Sequence, residues 1–241
     1  MVIIGRLLRL ENWRLETRDW RLIERQDDIL LLAQRRKMYT SKLYREEDRR
    51  KIIEFLKQNE FAIVVAYDGE KPTASHLLVE VFEESERIFI NGHMSRANLL
   101  WKTFERDADV LTIFHGAHTY ISPTWYNHVN VPTWNYQAVH VYGKPRIIED
   151  YDEAFQILKG LTRRHEETSH YSLESLPQDF VKKQIKGIVA FQIEVTRFDA
   201  NYKLSQNRDD EDYRNIVAKL EEREDDMSHG VAEAMRNNRQ V

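Results

Sequence analysis

The feature that most constrains the fold is a series of short, apolar, β-rich runs separated by very short connections. Residues 61–67, 73–82 and 87–91 have the composition of three successive strands, with β-branched and aromatic residues inside them and turn residues between them. Asp68-Gly69, between the first two runs, is a hairpin-turn signature. Connections this short join antiparallel strands, since parallel strands need a long crossover. The pattern therefore predicts antiparallel pairing from the start of the chain's main body.

The remaining pattern adds strands and helices in no regular alternation. It predicts further strands and helices as follows: strands at 110–115, 138–148 and 188–197, and helices at 46–59, from a Ser95 N-cap through Phe104, near 151–167 and near 177–186. Because helices and strands do not alternate, a doubly wound parallel sheet is not expected. The predicted fold class is mainly β with α, an antiparallel barrel or sheet with peripheral helices packed outside it.

Residues 1–37 differ from the rest of the chain. They nearly repeat an Arg-Leu-Glu unit followed by Trp, and they mix charges without a clean apolar face. We predict an N-terminal extension that is non-native or disordered, with Met38 as the natural start; a short accessory helix is the alternative. Residues 38–241 are predicted to form one domain, with a helical insertion at about 151–187 and a helical tail at about 209–238.

Composition limits the environment and the partners. The 241 residues are 41% hydrophobic and contain no cysteine, which excludes disulfides and thiolate chemistry and is typical of a cytoplasmic protein. No apolar run approaches the roughly 20 residues that cross a bilayer, so no membrane association is expected. The net charge of −4 gives no global attraction to nucleic acid, so DNA binding would need a local basic patch.

An aromatic segment at 121–136 is the first candidate for ligand binding. It contains two Pro-Thr-Trp motifs and places hydroxyl and amide groups among flat rings. Such a segment suits a planar ligand with a polar rim, and burial under a neighbouring subunit is a compatible alternative. The candidate ligand-binding residues are Ser122, Trp125, Thr133, Trp134 and Asn135, with either tryptophan as the stacking ring.

The second candidate is the segment 87–98, where a strand is predicted to run directly into a helix. A helix N-terminus offers free backbone N–H groups and partial positive charge, and an Arg side chain matches phosphate oxygens bidentately. His93, Ser95, Arg96 and Asn98 are therefore predicted to hold a phosphate group. The alternative is that Ser95 only caps the helix and Arg96 is solvated.

A third polar run, 203–208, follows the last predicted strand. Lys203, Gln206 and Asn207 are candidates for hydrogen bonding the edge of a heteroaromatic ring, and a simple polar turn is the alternative.

Three other kinds of site are not predicted. His115 and His118 are three residues apart, but the pair starts in a predicted strand and enters a glycine-containing loop instead of lying on a helix, so core histidines are favoured and no metal site is expected. No serine has a nucleophile-elbow setting. Basic clusters occur on the helices of 151–187, but the roughly nine-residue connection between them exceeds the three to four residues of a helix-turn-helix.

Taken in order, six motifs resemble the PaiB-like FMN-binding negative transcriptional regulators. The likeness extends from Met38 to near the C-terminus and depends on these segments: Met38-Tyr39 with Lys42, Ala74-Ser-His76, Gly92-His-Met-Ser-Arg-Ala-Asn98, Tyr120-Ile-Ser-Pro-Thr-Trp-Tyr126, Val131-Pro-Thr-Trp-Asn-Tyr136 and Lys203-Leu-Ser-Gln-Asn-Arg208.

This resemblance implies an FMN-binding split β-barrel, similar to pyridoxamine 5′-phosphate oxidase. It further implies a homodimer that binds FMN non-covalently at the subunit interface, with the phosphate near Ser95 and Arg96. A basic residue usually follows that arginine in the oxidase group; Ala97 stands here, which predicts weaker phosphate binding. Ser75 and Leu78 replace the family's more usual Thr and Pro.

Three functions then compete. The resemblance implies a flavin-associated transcriptional regulator, acting on DNA directly or indirectly. A flavin-dependent oxidoreductase of unknown substrate is the alternative, and a haem-handling protein is the third possibility, since some split-barrel relatives act on haem and the chain has nine histidines.

Overall fold

A computed structural model describes residues 38–106 and 108–239, so the predictions made for residues 1–37 lie outside the described residues. Within the described ranges seven strands form: β1 Arg45–Glu46, β2 Phe61–Tyr67, β3 Pro72–Glu84, β4 Arg87–Ser95, β5 Val110–Ile121, β6 Thr133–Ile148 and β7 Ile188–Lys203. The α-helices of the same ranges are α1 Arg49–Gln58, α2 Tyr151–His165, α3 Gln178–Lys186, α4 Asp210–Glu221 and α5 Asp226–Asn238. No helix in this part of the chain is long and apolar enough to cross a bilayer.

The strands form one antiparallel sheet that closes on itself. Their order is β1-β7-β4-β3-β2-β5-β6, and β6 also pairs with β7. The first half of β7 pairs with β4, while nearly its whole length pairs with β6. Because β7 has both partners, the sheet has no open edge between them and becomes a barrel. The predicted antiparallel barrel with peripheral helices is therefore confirmed.

The β2–β3 hairpin turns where the sequence predicts it. The Asp68 carboxylate accepts hydrogen bonds from the backbone N–H groups of Glu70 and Lys71, each at 2.8 Å, and Gly69 takes a φ of 104° that favours glycine. These backbone donors hold the pKa of Asp68 below its ordinary value of 3.8. The turn fixes the register of β2 on β3, and thereby which side chains face the core.

The helix predicted to begin at Ser95 is wrong in both position and type. β4 continues through Ser95, which pairs with Ile188, and the Arg96 N–H donates to the Gly187 carbonyl at 2.9 Å. A 3₁₀ helix, Leu99–Arg106, follows instead. Its first turn is capped by Asn98, whose side-chain oxygen accepts from the Leu100 N–H at 3.1 Å. Pairing with β7 thus outweighs the local capping signal at Ser95.

Strands also replace much of the predicted aromatic loop. β5 extends to Ile121 and β6 begins at Thr133, so the irregular segment is 122–132 and contains the short 3₁₀ helix Pro123–Trp125. Likewise β7 continues to Lys203. The sequence did not predict these strand extensions, because the polar and aromatic residues at 133–137 and 200–203 do not show the apolar alternation that identifies a strand.

Two apolar cores hold the barrel and its helices. The main core fills the barrel and includes buried side chains from α1, α4 and α5, among them Leu56, Tyr213, Leu220 and Met235. A second, smaller core lies between the helices α2 and α3, which contribute Ile157 and Val181, and the strands β3, β6 and β7. The C-terminal helices are therefore structural parts of the barrel unit.

Candidate functional site

The turn after β4 presents Arg96 in a fixed position. Its Nε donates to the Lys186 carbonyl at 3.0 Å and its Nη2 to the Ile188 carbonyl at 2.8 Å. A guanidinium has five N–H donors, so donors remain after these two bonds. Ser95 and Ala97 beside it are exposed, and the Ser95 hydroxyl accepts from the Ala97 N–H at 3.3 Å. The arginine is thus pre-oriented by backbone carbonyls while part of its donor set faces solvent.

Asn98 links this turn to β3. Its Nδ2 donates to the Ser75 hydroxyl at 2.8 Å, which brings Ser75 into the same polar group. We call Ser75, Ser95, Arg96 and Asn98 the polar turn. Ser75 was not among the site residues predicted from the sequence. It lies 23 residues before Asn98 in the chain, and only the pairing of β3 with β4 brings the two residues together.

His93 lies two residues before Ser95 on β4. Its register partner on β7 is Ala190, which belongs to the second core. Burial lowers the pKa of His93 from its ordinary value of 6.5, because a charged imidazole loses hydration there. Its Nδ1 is buried and has no hydrogen-bond partner among the described residues. A neutral imidazole with a spare nitrogen therefore stands beside the polar turn.

A second group of side chains covers one face of β5 and β6. His118 pairs in register with Tyr136, and Tyr120 with Trp134, so alternate residues of both strands share this face. The Trp134 Nε1 donates to His118 Nδ1 at 3.3 Å. Trp134 is 46% exposed and Tyr120 is 40% exposed. We call His118, Tyr120, Trp134 and Tyr136 the aromatic face; it leaves large ring surface open to a planar ligand.

Lys203 adds a positive charge to the edge of the aromatic face. It is in register with Tyr136, and its Nζ donates to the Thr133 hydroxyl. Burial, and then the nearby charge of Arg208, lower the pKa of Lys203 from its ordinary value of 10.5. Of the predicted ring-binding residues, the fold thus brings Thr133 and Lys203 into contact, next to Trp134 in β6.

Other predicted residues make contacts within the chain. Asn135 is fully buried and bonds Ser205 at 2.9 Å. The Arg223 guanidinium lies over the Trp125 ring at 4.7 Å. Their assignment to a ligand remains a prediction.

The turn residues Ser122, Gln206 and Asn207 likewise remain predictions. The Ser122 hydroxyl is 2.8 Å from that of Thr124. The Gln206 amide bonds the backbone of Tyr202 and Leu204, which closes the turn after β7. Asn207 is exposed in that turn.

The polar turn and the aromatic face are connected to different stretches of β5. Val64 on β2 pairs with Ser75 on one side and with Thr112 of β5 on the other. Trp134, in contrast, pairs with Tyr120 of β5. At about 3.3 Å per residue, the path along β5 from Thr112 to Tyr120 is about 26 Å. One protomer therefore presents the two groups as separate sites.

Sequence reasoning missed His118, Tyr120 and Tyr136 as members of a ligand-binding face. The sequence does contain a signal for them, because 118 and 120, and likewise 134 and 136, are two residues apart, as side chains on one face of a strand are. The signal was missed because this part of the chain was predicted to be a loop. Extending both predicted strands into the aromatic segment would have placed the four rings on one face.

An antiparallel barrel that closes through β6–β7 and carries its helices outside is a split β-barrel of the flavoprotein type. The chain belongs to the PaiB-like FMN-binding family: residues 38–197 match the family model described as "Putative FMN-binding domain". FMN is accordingly the cofactor.

The relatives agree with this assignment. The chain is 38% identical over 200 residues to "Protease synthase and sporulation protein PAI 2" of Bacillus subtilis, covering 82% of this chain and 96% of that protein. Two solved structures share the fold. The flavocytochrome Anf3 from Azotobacter vinelandii has a TM-score of 0.51 at 17% identity, covering 71% of this chain and 75% of that one. The FAD- and haem-binding protein from Mycobacterium smegmatis has 0.53 at 13%, covering 73% and 80%.

The side chains present fit FMN at both of its ends. A phosphate needs N–H and O–H donors and positive charge, which the remaining Arg96 donors and the exposed Ser95 hydroxyl supply. An isoalloxazine ring needs an open aromatic surface, which Trp134 offers at 46% exposure.

Proposed function

We propose that this chain is a PaiB-type transcriptional regulator whose homodimer binds FMN non-covalently at the subunit interface. The observation that carries the proposal is the separation of the polar turn from the aromatic face within one chain. A flavin that uses both groups needs the polar turn of one protomer and the aromatic face of its partner. The similarity to the Bacillus subtilis protein whose name links it to a protease and to sporulation supports a regulatory role.

In this proposal the polar turn holds the phosphate. Arg96 donates its remaining N–H groups, while the Lys186 and Ile188 carbonyls keep the guanidinium in place. Ser95 donates its hydroxyl from the last position of β4. Because the guanidinium is oriented before binding, less side-chain entropy is lost when the phosphate arrives.

The aromatic face holds the ring. Trp134 is the stacking surface, since Trp125 is already covered by Arg223. Lys203 places positive charge at the edge of this face and favours electron-rich ring atoms there. Bound FMN supplies one- and two-electron redox chemistry, and the protein groups around it tune that chemistry.

The direct test is the visible absorbance of the purified chain after FMN addition and desalting. Retained flavin absorbance is expected for the wild type. Replacing Trp134 with Ala removes the stacking surface and should weaken FMN binding about threefold to tenfold. The matched control is Tyr171→Ala, an exposed aromatic on the loop after α2, which should bind normally. Wild-type protein that retains no flavin, or full affinity in Trp134→Ala, would contradict the assignment.

The contacts and spacing of α2 and α3 favour indirect regulation over direct binding of DNA by these helices. In the basic cluster of α2, Arg164 and His165 both contact Glu60, at 2.7 and 2.9 Å, so the charge of Arg164 is partly neutralised. The connection from α2 to α3 covers residues 166–177, which is too long for a helix-turn-helix. Salt-dependent binding to promoter DNA would instead establish direct action.

A flavin-dependent oxidoreductase is the second candidate, and the openness of the aromatic face favours it. With Trp134 and Tyr120 both partly exposed, a second planar molecule has access to a stacked ring. Anaerobic bleaching of the bound flavin by NADH or NADPH would support catalysis; an unreactive flavin would leave the regulatory role.

A further inference from the structure

A cavity that is separate from both flavin-related groups lies between α1, α5 and the barrel. Its volume is about 630 Å³, and it shares no residue with the polar turn or the aromatic face. The wall on the barrel side contains Gly116 and Ala117, which form the β-bulge where the β5–β6 register shifts between His115 and His118. A bulge bends a strand locally and is frequent next to binding sites.

Close backbone approach shapes this cavity. A Cβ on Gly116 would lie 2.8 Å from Cε2 of Phe55, and a Cβ on Gly230 would lie 2.6 Å from Cβ of Ala117. Glycine at these two positions therefore lets α1 and α5 reach the bulge. The apolar part of the lining comes from Phe55, Ala117 and other small or aliphatic side chains.

The charged lining is predominantly acidic. Glu46, Glu54 and Glu233 contribute carboxylates, and Lys51 contributes the one ammonium group among the described lining residues. Lys51 lies 3.9 Å from Glu46, whereas Gln58 bonds Glu54 at 3.4 Å. The net charge of the lining is negative, so an anion is disfavoured and a cation is attracted.

The independent observation is the phenol of Tyr202. Tyr202 is 6% exposed, lines the cavity, and its hydroxyl has no hydrogen-bond partner among the described residues. An unpaired buried hydroxyl costs free energy unless something binds it. Burial, and then the charges of Glu46 and Glu54, raise the pKa of Tyr202, so the phenol stays neutral and its oxygen remains a hydrogen-bond acceptor.

The two aromatic rings of the cavity also favour a cation. Phe55 and Tyr202 lie with ring centroids 5.4 Å apart and their planes at 47°. Aromatic faces attract cations through the ring quadrupole. We propose that this cavity binds a small organic cation, a primary ammonium whose nitrogen bonds the Tyr202 hydroxyl and the Glu54 carboxylate and whose apolar body packs on Phe55 and Ala117.

The test uses the full chain with excess FMN and three probes that share a ring, measured by saturation-transfer difference NMR titration. Benzylammonium should bind, while benzyl alcohol and benzoate should bind more weakly or not at all. Added salt should weaken the ammonium probe because its attraction is electrostatic.

Variants then locate the probe. Glu54→Gln and Tyr202→Phe should each weaken benzylammonium binding about threefold to fivefold. Glu167→Gln, an exposed glutamate after α2, is the matched control and should bind as the wild type does. Tyr202→Phe should also keep the wild-type melting temperature, since it removes a hydroxyl that has no partner.

Four results would overturn the proposal: no binding of any probe, binding of the neutral or anionic probe as tight as that of benzylammonium, wild-type affinity for benzylammonium in Glu54→Gln and Tyr202→Phe, or loss of binding only in Trp134→Ala. The last result would place the amine on the aromatic face instead. Because the cavity shares no residue with the proposed flavin groups, failure of either proposal leaves the other standing.

Discussion

Arg96 is the residue at which phosphate binding and local structure meet. Its guanidinium bonds two carbonyls at the α3–β7 junction and is proposed to bind phosphate with its remaining donors. Arg96→Gln removes the positive charge while retaining an amide donor. Hydrogen bonds to charged groups contribute about 1.5–3 kcal/mol, so FMN affinity should fall at least about tenfold. Fluorescence titration of FMN measures this change.

The control for Arg96 is Arg163→Gln, an exposed arginine on α2, which should leave FMN affinity unchanged. Melting temperatures separate loss of the junction from loss of phosphate binding. An Arg96→Gln chain with unchanged affinity would remove the polar turn from the site.

The lowered pKa of His93 predicts how the free energy of unfolding depends on pH. Burial lowers its pKa below 6.5, so as the pH falls below about 6.5 the unfolded chain binds a proton that the folded chain resists. The free energy of unfolding is therefore full above that pH and decreases as the pH falls toward the folded pKa. His140 shifts in the same direction, chiefly through burial, with Asp199 opposing.

Urea-unfolding midpoints measured over a series of pH values test this relation. His93→Gln should show a shallower loss of stability on acidification than the wild type. His170→Gln, in an exposed loop, should keep the wild-type slope. Identical slopes in wild type and His93→Gln would exclude His93 as a source of the pH dependence.

At the scale of elements, α4 and α5 belong to the core although the match to the family model ends at residue 197. Leu220 is fully buried, and Tyr213 bonds the Met235 carbonyl at 2.7 Å between the two helices. Leu220→Ala should lower the free energy of unfolding by about 2–5 kcal/mol. Arg214→Ala, on the exposed side of α4, should change it by less than about 0.5 kcal/mol. Denaturant unfolding gives both values; near-equal effects would mean that α4 is peripheral.

The sequence predicted elements well where one local signal dominated. The β2–β3 hairpin followed from Asp68-Gly69, and the barrel class followed from short connections between strands. Prediction failed at Ser95. The sequence favoured Ser95 as a helix N-cap, but in the structure Ser95 is the last residue of β4 and pairs with Ile188 of β7. Such pairing joins residues 93 positions apart and has no local signature, so a tertiary contact outweighed the local preference.

The candidate site was predictable in the same uneven way. The Lys203 and Thr133 segments were identified from their composition, but their contact depends on the β6–β7 register. Trp125 and Trp134 occur in the same Pro-Thr-Trp setting, and only packing distinguishes them, because Arg223 from the helical tail covers the former. Side-chain chemistry was thus readable from the sequence, whereas exposure depended on distant elements.

For the molecule as a whole, the outer surface of the barrel carries an apolar face that the described helices leave partly exposed. Ile63 pairs with Ile113 and Val65 with Leu111, and all four side chains are half-buried. We call these four residues the outer apolar face. Their neighbours Ala62, Val64 and Ala66 point into the core, which fixes the orientation of the face. A face of this kind suits contact with a second copy.

The dimer prediction follows from that face and from the separated flavin groups together. Light scattering should give about twice the 28.9 kDa chain mass, and Ile113→Lys should reduce the mass to one chain by placing a charge in the contact. FMN retention should fall in the same variant, because a monomer cannot bring the polar turn and the aromatic face to one ligand. Phe180→Lys, at a half-exposed position on α3, should preserve both mass and flavin. A monomeric wild type that retains FMN, or an Ile113→Lys monomer with full FMN affinity, would show that one chain completes the site by itself.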